Sequence, residues 1–526
     1  MRVRIGLVVL LMAAVAAQAA SGYVTSGRTI WTIAGNGASC SVPTSSCGDG
    51  PSAIDAALTS PAGVAVAPDG VVYIADSASN KVRKVTPSGV ISTVAGSGSV
   101  CTPATSACGD GGPGTGAELT DPRGLALAPD GSLYIADSGS HRVRRLSTTG
   151  RIITVAGSGA QCSDSALSCG DGGAPAAAQL STPRGIAFEP LSGDLYIADT
   201  GDHRIRRISG NTISTVAGTG SICVAICGDG GPASGAAFNA PSSVALDGSG
   251  NIFVADTLSH RVRKITASSG TITTLAGDGS PCAAPAGACG DGGPAGAAQL
   301  SSPLAVAVSG SVVYVADSGA NKIRRVAGAI TTVAGTGTAC AQPPSCGDGG
   351  AATSATLSGP AAVAVDAAED LFVADSGANT VRWLAGPRGE VLSVTETGGE
   401  PAPAAASDPP AATTPLRSST VTRPAPPGGA VVRCVGSRCR ILVIRGRIPT
   451  AAALKARSRA ARRGSRWAQA ELRRGGKRWA IGAGRTLAQA LTLVPEKNLV
   501  KGRYRLRITQ VGTTGRKQRD RIVTLG

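Results

Sequence analysis

The sequence predicts an all-β protein: a closed ring of six equivalent four-stranded sheets, followed by a small, mostly β C-terminal domain. Three observations predict it. Of 526 residues, 73 are Gly and 32 are Pro, while Trp, Tyr and Phe number only 4, 6 and 4; this suits many short strands joined by turns and excludes a helical bundle or coiled coil. A hydrophobic fraction of 42% supplies enough apolar side chain for sizeable cores. Finally, an Ile/Val-Ala-Asp step recurs with its Asp at Asp76, Asp137, Asp199, Asp256, Asp317 and Asp375, at intervals of 61, 62, 57, 61 and 58 residues. Self-similarity at a near-fixed period marks a stacked or closed repeat architecture.

Taken in chain order, residues 1–19 have the form of a signal peptide. Arg2 and Arg4 precede the apolar run Ile5 to Ala17, too short to span a bilayer, and Ala17-Gln18-Ala19 supplies the small-x-small pattern for cleavage after Ala19. An uncleaved anchor is the alternative. Residues 20–29 are a lead-in. No later segment is long and apolar enough to cross a membrane, so the mature chain is expected to be a secreted monomer without a transmembrane segment.

Residues 30–396 carry the repeats. In the first full unit, strands are expected at Gly63 to Ala67, Val71 to Asp76, Lys81 to Val85 and Val90 to Ala95. Joints such as Pro68-Asp69-Gly70 and Pro87-Ser88-Gly89 favour antiparallel hairpins. One such sheet cannot cover both its faces, so units must stack, and six closing on a ring leave no free end. The first strands (GVAVA at 63–67, GLALA at 124–128, AVAV at 305–308) are built of small residues, as convergence on an axis requires. Residues 30–35 (IWTIAG) are an extra copy of the fourth strand, whereas 391–396 (VLSVTE) are degenerate. We therefore expect 30–35 to complete the sixth sheet, the alternative being an appended half-sheet.

The core pattern G-V-A, then D-G-x-L/V-Y-I/V-A-D-S/T, then N/H-R/K-V/I-R-K/R-V/I at 63–85, 124–146 and 185–208 resembles NHL repeats, and the T-V-A-G and G-D-G-G spacers are similar to those of the teneurin NHL region. The resemblance implies a TolB-like six-bladed β-propeller. It implies no reaction by itself.

Fourteen cysteines fall as local pairs: Cys40/Cys47, Cys101/Cys108, Cys162/Cys169, Cys223/Cys227, Cys282/Cys289, Cys340/Cys346 and Cys434/Cys439. In an exported chain this spacing points to local disulfides, since structural zinc would need closer knuckles or nearby His. Six of the pairs lie in connections of about 25 residues that each carry a C-G-D-G step. One Asp per loop is too few for calcium, and Asp-Gly reads as a turn. No metal or cofactor is expected.

Strand directions alternate, so these connections and the turns between second and third strands open on one face. Each turn carries a D-(S/T)-x-x-(N/H) step: Asp76 with Asn80, Asp137 with His141, Asp199 with His203, Asp256 with His260, Asp317 with Asn321, and Asp375 with Asn379. We take this as the candidate binding face, because recognition tends to reside on loops held by a rigid scaffold. The interchange of His and Asn implies a shared hydrogen-bonding task in the turn, expected to be a bond to the blade's own Asp, rather than acid–base catalysis. Arg83, Arg144, Arg206, Arg263, Arg324 and Arg382 recur likewise, and a charge-assisted bond to the blade's Asp or to a neighbouring carbonyl is the default, with an anion-reading ring as the sharper alternative. Nothing in the repeats breaks the sixfold pattern as a catalytic constellation would, so no catalytic residue is assigned; a lactonase-like hydrolase or lyase with a site near the axis is the alternative.

Residues 397–430, dense in Pro and Ala, form a spacer. Residues 431–526 hold 25 Lys and Arg against Glu471, Glu496 and Asp520, a formal +22, leaving 25 against 30 and −5 for the remainder. A stapled turn at Cys434 to Cys439 and strands at Trp467 to Arg473, Arg478 to Gly482, Tyr504 to Val511 and Arg521 to Leu525 are expected, with one Ala-rich helix as the alternative over 451–463. Such a surface should attract anionic envelope polymers, although an Arg-rich coding bias would also produce it. The function expected is a secreted, non-catalytic scaffold that binds a protein or carbohydrate partner on its loop face and is held at the envelope by its basic module. Export disfavours RNA as the partner.

Overall fold

A computed structural model describes residues 28–162, 169–223, 227–343 and 346–386 in full, together with the backbone of eight later strands. The signal peptide over 1–19, most of the lead-in, the spacer over 397–429 and the helix over 451–463 lie outside the described residues.

Six four-stranded antiparallel sheets form the propeller. Blade 1 runs Pro61–Val66, Val72–Asp76, Lys81–Val85 and Ile91–Ala95, each strand paired to the next. Blades 2 to 5 repeat it, beginning at Pro122, Pro183, Pro241 and Pro303. Blade 6 takes three strands in order, Pro360–Val365, Leu371–Asp375 and Thr380–Leu384, and its fourth from the other end of the repeat region, Ile30–Ala34. The register is Ile30 against Leu384, Trp31 against Trp383 and Thr32 against Arg382. The alternative strand, Val391–Ser393, pairs instead with Arg438–Val443. Arg28 reinforces the closure, donating to the Glu369 carbonyl at 2.7 Å and the Tyr314 hydroxyl at 2.9 Å.

The core lies between blades. Ala75, Val82 and Ala95 of blade 1 pack with Leu119, Leu125 and Ile135 of blade 2, and the pattern continues around the ring. One isoleucine of every fourth strand, Ile30, Ile91, Ile152, Ile213, Ile272 and Ile330, is buried in these layers. At the axis the first strands crowd together: a Cβ on Gly63 would sit 1.8 Å from the Arg123 carbonyl oxygen, so only glycine admits this approach.

Beyond the propeller, Ala430–Val435 and Arg438–Val443 pair as a hairpin that sets Cys434 opposite Cys439. Trp467–Arg474, Lys477–Gly484, Gly502–Gly512 and Gly515–Leu525 form further antiparallel pairs. None of the described helices is long and apolar enough to cross a membrane.

Candidate functional site

The loop face is assembled from three repeated devices. The first is the staple. Six pairs, Cys40–Cys47, Cys101–Cys108, Cys162–Cys169, Cys223–Cys227, Cys282–Cys289 and Cys340–Cys346, are joined, with Cα separations of 5.3 to 5.7 Å that suit a disulfide. The side chains of Cys434 and Cys439 lie outside the described residues.

The second device is a brace of two carboxylates on one guanidinium, and it gives the Asp of each C-G-D-G step a task that its turn reading missed. In blade 2, Arg144 Nη2 reaches Asp110 Oδ1 at 2.5 Å and Nη1 reaches Asp137 Oδ2 at 3.3 Å. Nη2 also donates to the Cys108 carbonyl at 3.2 Å. Asp49/Arg83/Asp76, Asp171/Arg206/Asp199, Asp229/Arg263/Asp256, Asp291/Arg324/Asp317 and Asp348/Arg382/Asp375 repeat it. All six arginines and all six inner aspartates are buried, so these Arg are counter-ions of the fold and cannot meet a ligand directly. Buried charge is tolerable only when paired in this way. The outer Asp also ties its loop to the fourth strand: Asp49 accepts the Thr93 N–H at 2.8 Å, and Asp348 accepts that of Thr32 at 2.9 Å. Ile30–Ala34 is thus held like every other fourth strand.

Burial raises the inner carboxyls, to about 6 at Asp137, Asp256, Asp317 and Asp375, against the pull of a backbone N–H and the arginine. Burial, with the nearby charge of Asp202, takes Asp199 to about 8.

The third device corrects the expected role of the Asn/His position. These residues end a short 3-10 turn in the left-handed region, with φ of 53° at Asn80 and 56° at His141, which Asn and His tolerate better than most. Their side chains do not bond the blade's own Asp. Each accepts a backbone N–H from the next blade: Asn80 Oδ1 from Asp121 at 3.0 Å, His141 Nδ1 from Thr182 at 3.1 Å, His203 from Ala240 at 3.0 Å, His260 from Ser302 at 3.1 Å, Asn321 from Gly359 at 2.8 Å and Asn379 from Ser60 at 2.9 Å. The blade's own Asp instead takes the adjacent N–H, as Asp76 does from Thr59 at 2.6 Å. Every lead-in is therefore gripped from two blades at once. Because a backbone N–H can only donate, Nδ1 of each His must be unprotonated; burial holds these imidazoles below their ordinary pKa.

Fold and face together define a disulfide-braced, six-bladed β-propeller whose polar recurring residues are spent on rigidity. The chain belongs to the NHL-repeat family: the model of the teneurin NHL domain matches at residues 25–100, 92–165, 151–225 and 189–286. Teneurin-4 of Homo sapiens is 32% identical over 280 residues, covering 48% of this chain and 10% of that protein, and Teneurin-1 of Mus musculus is 30% identical over 279 residues with the same coverage. The chain spans about a tenth of the length of these relatives. Among solved structures, a Bacteroides thetaiotaomicron protein of unknown function aligns with a TM-score of 0.47 at 15% identity, covering 68% of this chain and 76% of that one.

Proposed function

We propose that the protein is an exported, non-catalytic binding scaffold whose propeller recognises a protein or carbohydrate partner through its stapled loop face. In this reading residues 1–19 are removed after export, and the basic module over 431–526 attaches the molecule to anionic envelope polymers. Six disulfides suit an extracellular setting. One observation carries the proposal. Although the face's repeated carboxylates and its Asn and His acceptors are engaged within the fold, it exposes apolar side chains on its loops and turns: Val42, Val100, Ile222 and Leu258, each about half exposed. Apolar groups carried on loops that a rigid scaffold holds in place stand where a partner would make contact. The hydrolase or lyase alternative would need acid–base groups gathered at one accessible place, whereas the three His of this face are spread one each over blades 2, 3 and 4 as Nδ1 acceptors and the raised carboxyls are buried in the braces.

The test is a screen of the full chain against extracellular glycans, wall polymers and protein ectodomains at low and high salt. Binding by the basic module should fade at high salt. Binding by the loop face should persist there and be lost in a Val100→Asp/Leu258→Asp variant. Absence of both ligand-specific and salt-sensitive binding would overturn the proposal.

A further inference from the structure

The sixfold pattern is broken at the axis. The second residue of each first strand faces the channel: Ala62, Arg123, Arg184, Ser242, Leu304 and Ala361 in blades 1 to 6. Blades 2 to 4 thus contribute polar groups, two of them guanidinium, while blades 5, 6 and 1 contribute apolar ones. These residues follow the Pro that pairs with the inner Asp, as Pro122 does with Asp137, and so lie toward the loop-face end of the channel. They line a cavity of about 120 Å³.

Each brace arginine is ion-paired to two carboxylates, whereas the axial pair has one carboxylate, Asp121, on Arg123, and no ion pair involves Arg184 among the described residues. An unpartnered Nε is itself common to Arg184 and to Arg206, Arg263, Arg324 and Arg382 of the braces. Arg123 Nε donates to Asp121 Oδ2 at 2.7 Å, a pair that is partly solvent-exposed. Arg184 Nε is buried and has no hydrogen-bond partner among the described residues. Two arginines against Asp121 leave a net charge of +1 in the channel, and burial together with the charge of Arg123 holds Arg184 below its ordinary pKa, with Asp121 opposing. Arginine keeps its proton under such conditions, so the charge stands unbalanced. A buried donor without a partner costs free energy that a suitable acceptor recovers.

We infer that the loop-face end of the axial channel binds an oxyanion, a carboxylate or phosphate group, held between the guanidinium groups of Arg123 and Arg184. The planar fork of arginine matches two oxygens of such a group, and a net positive, partly desolvated channel favours it over a neutral ligand. The cavity equals the bulk volume of about four waters, enough for the charged end of a ligand whose remainder stays outside. Ser242, on the wall beside Arg184, is engaged with Thr257 and the Leu304 carbonyl, so the arginines are the recognising groups. This site is separate from the apolar contacts of the loop-face reading, and either can fail without the other.

The test titrates the full chain by calorimetry with inorganic phosphate, acetate and glucuronate at constant ionic strength. Saturable binding is expected, and comparison of the three ligands separates phosphate from carboxylate. Arg184→Gln and Arg123→Gln should each weaken it at least tenfold, whereas Arg207→Gln, a partly exposed arginine on the third strand of blade 3, should leave it unchanged. Binding insensitive to the two axial substitutions, or abolished by Arg207→Gln, overturns the inference. Should Arg184→Gln fail to fold, the Nε–Hε resonance of Arg184 in the wild-type chain gives the same answer: it shifts on titration if the site exists, and a stationary resonance overturns it.

Discussion

Substitution of Ile30 by Ala tests the ring closure at its most consequential point. Ile30 is fully buried, sits opposite Leu384 and packs in a cluster shared by blades 1, 5 and 6. The change removes three carbons, worth about 2.4 kcal/mol at about 0.8 kcal/mol each, and the residual cavity brings the cost to about 3 kcal/mol. Ile152→Ala, equally buried at the same position of blade 2, should cost a similar amount in guanidinium unfolding of the full chain. The two variants should differ in where the structure opens. Ile30–Ala34 is joined in sequence to blade 1 but paired with blade 6, so weakening it lets one strand detach and uncovers Thr380–Leu384. Native-state hydrogen exchange should then accelerate about a hundredfold at the amides of Thr380–Leu384 in Ile30→Ala, about 3 kcal/mol at 1.4 kcal/mol per decade, and remain near wild type there in Ile152→Ala. Unchanged protection of Thr380–Leu384 in Ile30→Ala would refute closure by this strand.

Two further outcomes follow from the loop face. Replacing Cys101 and Cys108 by Ser opens a loop of eight residues, and the chain-entropy relation sets the loss at about 2.5 kcal/mol, against about 2 kcal/mol for the shorter Cys223–Cys227 loop; chemical unfolding of oxidised protein checks both, and a loss under about 0.5 kcal/mol in each would contradict a bracing role. For the histidines, a folded pKa below the unfolded value near 6.5 means that the native state binds fewer protons. Their stabilisation is complete above about 6.5 and is lost as pH falls through the folded pKa. The inner Asp carboxyls, raised to about 6, act in the opposite sense, contributing stability below about 3.8 that is lost as pH rises through 6. The informative quantity is therefore the difference between wild type and His141→Asn/His203→Asn/His260→Asn, which should grow in favour of the variant between pH 7 and pH 5; parallel stability profiles would sink the blade-clasp account.

Much of this architecture was legible because its signals repeat. Asp76 and its five counterparts set the phase, and the spare copy at 30–35 pointed to ring closure over an appended half-sheet, which its pairing with Thr380–Leu384 bears out. The spacing of the cysteines identified the staples for the same reason: a bond within eight residues needs no knowledge of the fold. The partner of Asn80 and the histidines was not legible. Local turn geometry suggested the Asp four residues earlier, but that Asp is already committed to Thr59 and Arg83, and the free acceptor meets Asp121, 41 residues away in the next blade. The link of Arg144 to Asp110 was hidden by a sequence separation of 34, although both recur once per blade.

The axial arginines were hidden for a different reason, and it bears on how such a protein acquires a ligand. In sequence, Arg123 and Arg184 stand among 41 Arg, in the steps Asp121-Pro122-Arg123-Gly124 and Thr182-Pro183-Arg184-Gly185, where nothing separates them from solvated charge. Only the convergence of six first strands carries them into one channel. The glycines that follow make that convergence possible on this side of the ring: a Cβ on Gly124 would lie 2.0 Å from the Arg184 carbonyl oxygen, and one on Gly185 would lie 2.5 Å from the Ser243 Cα. In blades 4 to 6 the same position is Ser243, Ala305 and Ala362, where the side chain itself occupies part of that space. Close backbone approach and guanidinium groups thus fall on the same side of the axis, while the braces and clasps remain sixfold. Rigidity in this fold is carried by what every blade shares, which leaves the second position of the first strand free to differ between blades without loosening the ring. A ligand site can therefore arise at the axis by two substitutions, and it is the departure from symmetry that marks it.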